Sequence, residues 1–239
     1  MGRAQLEAVL VDVGGTLWPN TWAQTDAERA DCLTAVGRAL PGADRGELAD
    51  AIDWLRSEIE GSTRTQLRRS GVNLIRETLT DHGWPSDPDT VRSVRQGLCS
   101  NLGAVITPFE GAADLLAGIK ALGLVCVILS NTTFRDAELY GRDFVTLDWQ
   151  GWLDGCVTSV DAGLAKPDRR IFEIALELAG APAEACVMIG DSEEADILPA
   201  LELGLRTIRV ALEGPLTDST AHATATSLGE ALGVVRSWL

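Results

Sequence analysis

The stretch that decides the fold runs from Val9 to Pro19, "VLVDVGGTLWP". An apolar run ends in Asp12, and two glycines and Thr16 come next. A short run that is apolar at nearly every position is expected to be a strand buried on both faces of a parallel sheet. Asp12 then stands at the carboxyl end of that strand, where open α/β sheets bind their ligands. Glycines beside it let the backbone come close to a phosphate. The residues after Thr16 separate two structures. A second, paired strand would make a hairpin over nucleotide phosphates. A turn into a helix would leave Asp12 free to attack.

Four more apolar runs come after the strand at Ala8–Val13: Val125–Leu129, Gly155–Ser159, Cys186–Ile189 and Arg206–Val210. Helical patterns lie between most of them. Ala112–Leu122 carries Leu115, Leu116, Ile119 and Leu122 and stops at Gly123. Arg169–Ala179 has Asp168 as N-cap and Gly180 behind it, and Ala195–Leu203 ends at Gly204. Strands alternating with helices imply an α/β fold, a three-layer Rossmann-like core with a parallel sheet. The alternation breaks once, over residues 18–105. There Thr25–Glu28 forms a capping box and opens a helix that ends at Pro41-Gly42. Three more helices are marked by Leu48, Ile52, Leu55 and Ile59 (closed by Gly61), by Leu67 to Leu79, and by Val91, Val94, Leu98 and Leu102. The expected organisation is a core of residues 1–17 and 106–239 with an α-helical cap domain inserted at 18–105.

The chain after Thr16 reads "WPNTWAQTDAERADCLTAVGRAL", a proline turn and then a helix. That sets aside the phosphate hairpin of an actin-like sugar kinase, and no later glycine-rich nucleotide loop appears. A nucleophilic Asp12 predicts partners at the ends of later strands, and they come in order. "VCVILSNTT" ends in Ser130-Asn131, "DAGLAKPDRRIFEIAL" sets Lys166 before a helix, and "VMIGDSEEAD" offers Asp191 and Asp196. Each motif alone is weak; four in order are not. On these residues the chain resembles the haloacid dehalogenase superfamily over its whole length, with the helical insertion where that family carries its cap.

The resemblance implies an enzyme acting on a small phosphorylated metabolite through an aspartyl-phosphate, with Mg²⁺. Asp12 is the expected nucleophile, splitting one hard displacement into two. Asp12, Asp191 and the backbone carbonyl of Gly14 are the expected Mg²⁺ ligands, hard oxygens of the kind that ion prefers. Ser130, Asn131 and Lys166 are expected at the phosphate, with Ser130 and Lys166 catalytic because they meet charge as it develops. Thr16 would fix the loop after Asp12. Asp196 would orient Lys166 or a metal-bound water, or else be a first-turn aspartate favoured by the helix dipole. Glu193 and Glu194 read as solvated helix-start charges, and His82 and His222 as non-catalytic.

One position departs from the family pattern. Most phosphatases of the family carry aspartate where Gly14 stands. It protonates the leaving oxygen and then activates water, help worth about two to four orders of magnitude in rate. Three outcomes stay open. The leaving group needs no proton, as in an acyl or aryl phosphate. Or the cap supplies a group, with Trp18, Asn20, Asp26, Arg64, Arg68 and Arg69 as candidates. Or the protein is non-catalytic, a phosphometabolite-binding or regulatory relative. A 2-haloacid dehalogenase is a further alternative. The family's dehalogenases carry an aromatic residue at the Gly14 position, need no metal and lack the "GDSEEAD" arrangement.

Composition narrows the partners. A net charge of −15 over 239 residues argues against nucleic acid. No apolar run is long enough to span a bilayer, and the first residues lack a signal-peptide pattern. A cytoplasmic location is therefore expected. Cys32, Cys99, Cys126, Cys156 and Cys186 make no CxxC pair and read as buried, reduced thiols. Seven tryptophans, four of them within 18–105, leave room for a cap-mediated homodimer.

Overall fold

A computed structural model of the chain describes residues 5–20, 26–62, 70–99, 102–215 and 218–239. Thr25, Arg64, Leu67, Arg68 and Arg69 lie outside the described residues, as do the side chains of Asp26 and Ile59.

Six parallel strands form one sheet in the order β3-β2-β1-β4-β5-β6. They are β1 Ala8–Val11, β2 Val125–Ser130, β3 Gly155–Thr158, β4 Cys186–Gly190, β5 Arg206–Val210 and β6 Ala223–Ala225. The five expected strands are present. β1 stops pairing at Val11, earlier than expected, and Val13 turns into the loop while staying buried. β6 is an addition. Its "ATA" carries almost no apolar signal, and pairing to Ile208–Val210 makes it a strand.

The helices are α1 Asp26–Ala39, α2 Arg45–Ser62, α3 Gly71–Asp81, α4 Pro88–Leu98, α5 Leu102–Val105, α6 Ala112–Ala121, α7 Ala137–Thr146, α8 Ser159–Ala162, α9 Arg169–Ala179, α10 Leu198–Leu203 and α11 Leu228–Ser237. The apolar strands are continuous because both sheet faces are covered. Val9 and Val11 pack with Leu115, Leu116 and Ile119 of α6 and with Ala231 and Val235 of α11. Ala8 and Leu10 pack with Ile171, Phe172 and Ala175 of α9 and with Ala200 of α10. That makes three layers. α9 keeps the expected bounds. Asp168 accepts from the Arg170 N–H at 3.0 Å, and Gly180 ends the helix in the left-handed region. α7 and α11 have no counterpart in the sequence pattern. α11 holds two glycines, which weaken local propensity, and burial of Leu228, Ala231, Leu232 and Val235 decides it.

α1 to α4 bury a cluster of their own, including Val36, Ile52, Ile75, Val91 and Val94. α3 begins at Gly71, later than expected, and α4 ends at Leu98. Leu102 opens α5 instead of extending α4, and it packs in the sheet-side cluster, as does Trp18. Trp18 lies against Tyr140, Phe144 and Trp149, with ring centroids 5.9, 6.1 and 6.1 Å away. No helix among the described residues is long and apolar enough to cross a membrane. All five cysteines are free thiols; burial pushes Cys126 up to about 12.

The loop after β2 ties the helical cluster to the sheet. Phe134 of that loop sits in the helical cluster. A Cβ on Gly71 would lie 2.1 Å from the Thr133 carbonyl oxygen, so only glycine admits the loop there. Arg95 of α4 pairs with Asp136 and donates to the Phe134 carbonyl at 2.8 Å, with both charges buried. Burial alone would push the Asp136 carboxyl up. The Arg95 hydrogen bond, the Leu139 N–H and the guanidinium charge outweigh it and hold the carboxyl below its usual value. Removing one partner of a buried pair strands the other charge. Arg95→Leu should therefore lower unfolding free energy at pH 7 by about 3 kcal/mol. A depressed carboxylate adds stability above its unfolded value of about 3.9. That share is lost as pH falls through the lower folded-state value, so urea titrations should show the gap closing there.

Candidate active site

β1 delivers Asp12 to the carboxyl edge of the sheet, and the Asp12 N–H donates to the Ile189 carbonyl of β4 at 2.9 Å. The next residues form a tight turn. The N–H groups of Thr16, Leu17 and Trp18 all point at the Val13 carbonyl, at 3.2, 2.7 and 3.3 Å. Thr16 then donates to Asp12 Oδ2 at 3.3 Å. Gly15 has φ of +77°, and a Cβ there would stand 2.4 Å from Asp191 Oδ2. Backbone sign and space both demand glycine. Thr16 thus ties the turn back to the Asp12 carboxylate.

Lys166 lies at the centre, buried. Its ammonium donates to Asp12 Oδ1 at 2.7 Å, to Asp196 Oδ1 at 2.5 Å and to the Leu129 carbonyl at 2.9 Å. A lysine has three N–H donors, and all are used. Burial alone would push the ammonium down; the carboxylates of Asp12 and Asp196 outweigh it and keep it charged. Asp196 is fully buried. It also accepts from the Ser192 N–H at 3.1 Å. Burial pushes its carboxyl up against the pull of Lys166. The helix expected at Ala195–Leu203 begins instead as a π-helical turn over Glu193–Ile197. Such turns recur at functional sites. Here one carries Asp196 inward, so it is no ordinary first-turn aspartate.

Asp191 comes directly after β4. No other described residue donates a hydrogen bond to its carboxylate. Burial first, then the charges of Asp12 and Asp196, push it up to about 7. Carboxylate oxygens of Asp12, Asp191 and Asp196 lie within 4.8 Å of one another. Three carboxylates face one ammonium, so the cluster lacks positive charge. The Gly14 carbonyl accepts no hydrogen bond among the described residues. This all-oxygen donor set fits a divalent cation such as Mg²⁺.

Ser130 ends β2, and its hydroxyl lies 3.2 Å from the Tyr140 hydroxyl. Tyr140, the one tyrosine of the chain, escapes sequence reasoning because α7 does. Its signal is Asp136, which caps α7 by accepting from the Leu139 N–H at 2.9 Å. Asn131 does not offer its side chain outward as expected. Its Nδ2 donates to the Lys166 carbonyl at 2.9 Å, and its Oδ1 accepts the Lys166 N–H at 2.8 Å. The carboxamide clamps the lysine's own peptide. Glu193 is not a solvated charge either. It accepts from Ser219 Oγ at 2.7 Å and from the Thr220 N–H at 2.8 Å, bracing the loop before β6. His82 stacks on Trp84, and His222 meets Thr207, both apart from Asp12 and its partners. Of the candidates for the missing group, Trp18 is buried among aromatics. Asn20 stands over Gly14, where a Cβ would lie 2.2 Å from its Oδ1.

The chain is similar to known proteins. A glyceraldehyde 3-phosphate phosphatase of Methanocaldococcus jannaschii is 32% identical over 139 residues, covering 56% of this chain and 59% of its own. The pyrimidine 5'-nucleotidase YjjG of Escherichia coli is 30% identical over 115 residues, covering 48% and 49%. The chain thus spans about half the length of the curated relatives it matches. A 2-haloacid dehalogenase of Pseudomonas syringae pv. Tomato DC3000 has the same fold, with a TM-score of 0.63 at 20% identity over 98% of this chain and 100% of that one. Residues 6–204 contain every side chain gathered around Lys166 and match the haloacid dehalogenase-like hydrolase family, and the chain belongs to that family.

Proposed function

We propose that the protein is a Mg²⁺-dependent phosphohydrolase that moves the phosphoryl group of a small phosphorylated metabolite onto Asp12 and then onto water. The observation that carries this is the cluster of three converging carboxylates around one buried ammonium. One relative is named as a glyceraldehyde 3-phosphate phosphatase and another as a pyrimidine 5'-nucleotidase, which supports this reading.

Asp12 is oriented for attack. Lys166 holds one of its oxygens and Thr16 the other. Fixing the reacting carboxylate in this way removes much of the entropic part of the barrier. Asp12, Asp191 and the Gly14 carbonyl would hold Mg²⁺, which would supply positive charge between the anionic carboxylate and the anionic phosphoryl group. Ser130 donates its hydroxyl to a phosphoryl oxygen, and Tyr140 sets the direction of that hydroxyl. Lys166 turns part of its charge to the same oxygens as negative charge builds on them. Asn131 holds the Lys166 peptide still, and its own main chain faces the phosphate. Asp196 keeps the ammonium protonated and aimed. Residues 18–105 act as a cap that selects the substrate. Gly14 offers no acid, so acyl and aryl phosphates, whose leaving groups depart as anions, are the preferred substrates. A 2-haloacid fits less well, because Gly14 is not the aromatic residue of the family's dehalogenases and the "GDSEEAD" arrangement they lack is present.

Phosphate release from acetyl phosphate, 4-nitrophenyl phosphate and several alkyl phosphates tests the proposal. Activity is expected on the first two, lost with EDTA and lost by at least about a thousandfold in Asp12→Asn. No phosphate release across the panel, with phosphate still bound, would mean a binding protein. Chloride release from 2-chloropropionate without Mg²⁺ would mean a dehalogenase. Asn131→Ala removes two hydrogen bonds from the lysine's peptide. It should lower kcat by about tenfold and stability by about 1–2 kcal/mol, read by steady-state kinetics and urea unfolding.

A further inference from the structure

We propose that the Asn20 carboxamide stands where a side chain at position 14 would stand and donates a hydrogen bond to the departing oxygen of the substrate. This rests on the phosphohydrolase reading above. A Cβ built on Gly14 would lie 2.2 Å from Asn20 Oδ1 and 3.2 Å from Asn20 Cγ, so the carboxamide already fills that volume. A Cβ on Gly15 would lie 2.8 Å from Asn20 Nδ2 and 2.4 Å from Asp191 Oδ2. Asn20 therefore borders both the residue that lacks an acid and the Asp191 carboxylate.

The chain is built to bring it there. The Gly15 N–H donates to the Trp18 carbonyl at 2.7 Å and closes the turn. Trp18 is anchored among buried rings, and Pro19 fixes the next backbone angle. Asn20 comes directly after this rigid support. It is exposed, and no described residue hydrogen-bonds its side chain. Among the described residues neither end of the amide has a hydrogen-bond partner, and none of them prevents its rotation. Whichever face meets the oxygen, an N–H can be turned to it.

An amide donates and accepts but does not give up a proton. In the first step an Asp12 oxygen bonds to phosphorus while the bond from phosphorus to the leaving oxygen breaks. The electron pair goes to that oxygen, which departs as an acylate or aryloxide held by the Asn20 N–H. In the second step a water oxygen bonds to phosphorus, and the Asp12 carboxylate leaves with its electron pair. Both protons of the water stay with the phosphate or pass to bulk solvent. Asn20 thereby helps only leaving groups that need no proton, in line with Gly14.

Kinetics on 4-nitrophenyl phosphate, phenyl phosphate and ethyl phosphate test this in native protein, Asn20→Ala, Gly14→Asp and the double variant Gly14→Asp/Asn20→Gly. Asn20→Ala should lower kcat by about tenfold to a hundredfold, with KM nearly unchanged. The loss should grow from the nitrophenyl to the phenyl ester, because the poorer leaving group carries more charge. Its melting temperature should hold within about 2 °C, as for an exposed side chain with no hydrogen-bond partner among the described residues. Gly14→Asp alone should gain little on ethyl phosphate, since two side chains claim one space, and the double variant should gain at least about tenfold more. An Asn20→Ala loss equal across the esters overturns the proposal. So does Gly14→Asp gaining as much alone as in the double variant. Native hydrolysis that depends on Asp12 keeps the phosphohydrolase reading intact in either case. Absence of native phosphate release overturns both.

Discussion

One buried ammonium organises the site. Lys166 spends its three donors on Asp12, Asp196 and the Leu129 carbonyl, which come from three separate parts of the chain. Two buried carboxylates next to each other would repel at a cost that burial magnifies. The ammonium offsets that repulsion, and in doing so sets where β1, the end of β2 and the turn after β4 meet. It does not offset the third carboxylate. Asp191 is left without a donor among the described residues and is pushed up to about 7 by burial and its neighbours. The architecture thus holds a deficit of positive charge at one place, beside Asp12.

The loop after β2 extends this arrangement to the helical module. Just after Ser130 it clamps the Lys166 peptide through Asn131, inserts Phe134 into the helical cluster and pairs Asp136 with Arg95. The same short segment therefore reaches both the Lys166 peptide and the core of α1 to α4. Its path leaves no room for a side chain at Gly71. Any shift of the helical module against the sheet has to pass through these contacts.

Much of this is legible in the residues. The continuous apolar strands, the α9 bounds with their Asp168 and Gly180 caps, and the order Asp12, Ser130, Lys166, Asp191 can be read because each rests on local pattern. The parts that cannot be read share a cause. β6 and α11 are weak locally and exist because partners bury or pair them. α7 stays hidden despite its Asp136 cap, and Tyr140 with it. Glu193 looks like a solvated charge until the loop before β6 folds onto it. Asn131 looks like a phosphate donor, but its carboxamide meets a peptide 35 residues away.

By itself the sequence determined the α/β class, the run of helices between β1 and β2, and which side chains stand at strand ends, since periodicity and caps act within a few residues of chain. It also determined that position 14 has no acid. Only the tertiary structure decided that Lys166 is shared by two carboxylates, that Asp196 turns inward on a π-helical turn, and that Trp18 is core. It alone put Asn20 over Gly14. Those outcomes depend on distances between segments far apart in sequence, or on how a turn closes. Side-chain type and spacing carry no measure of either.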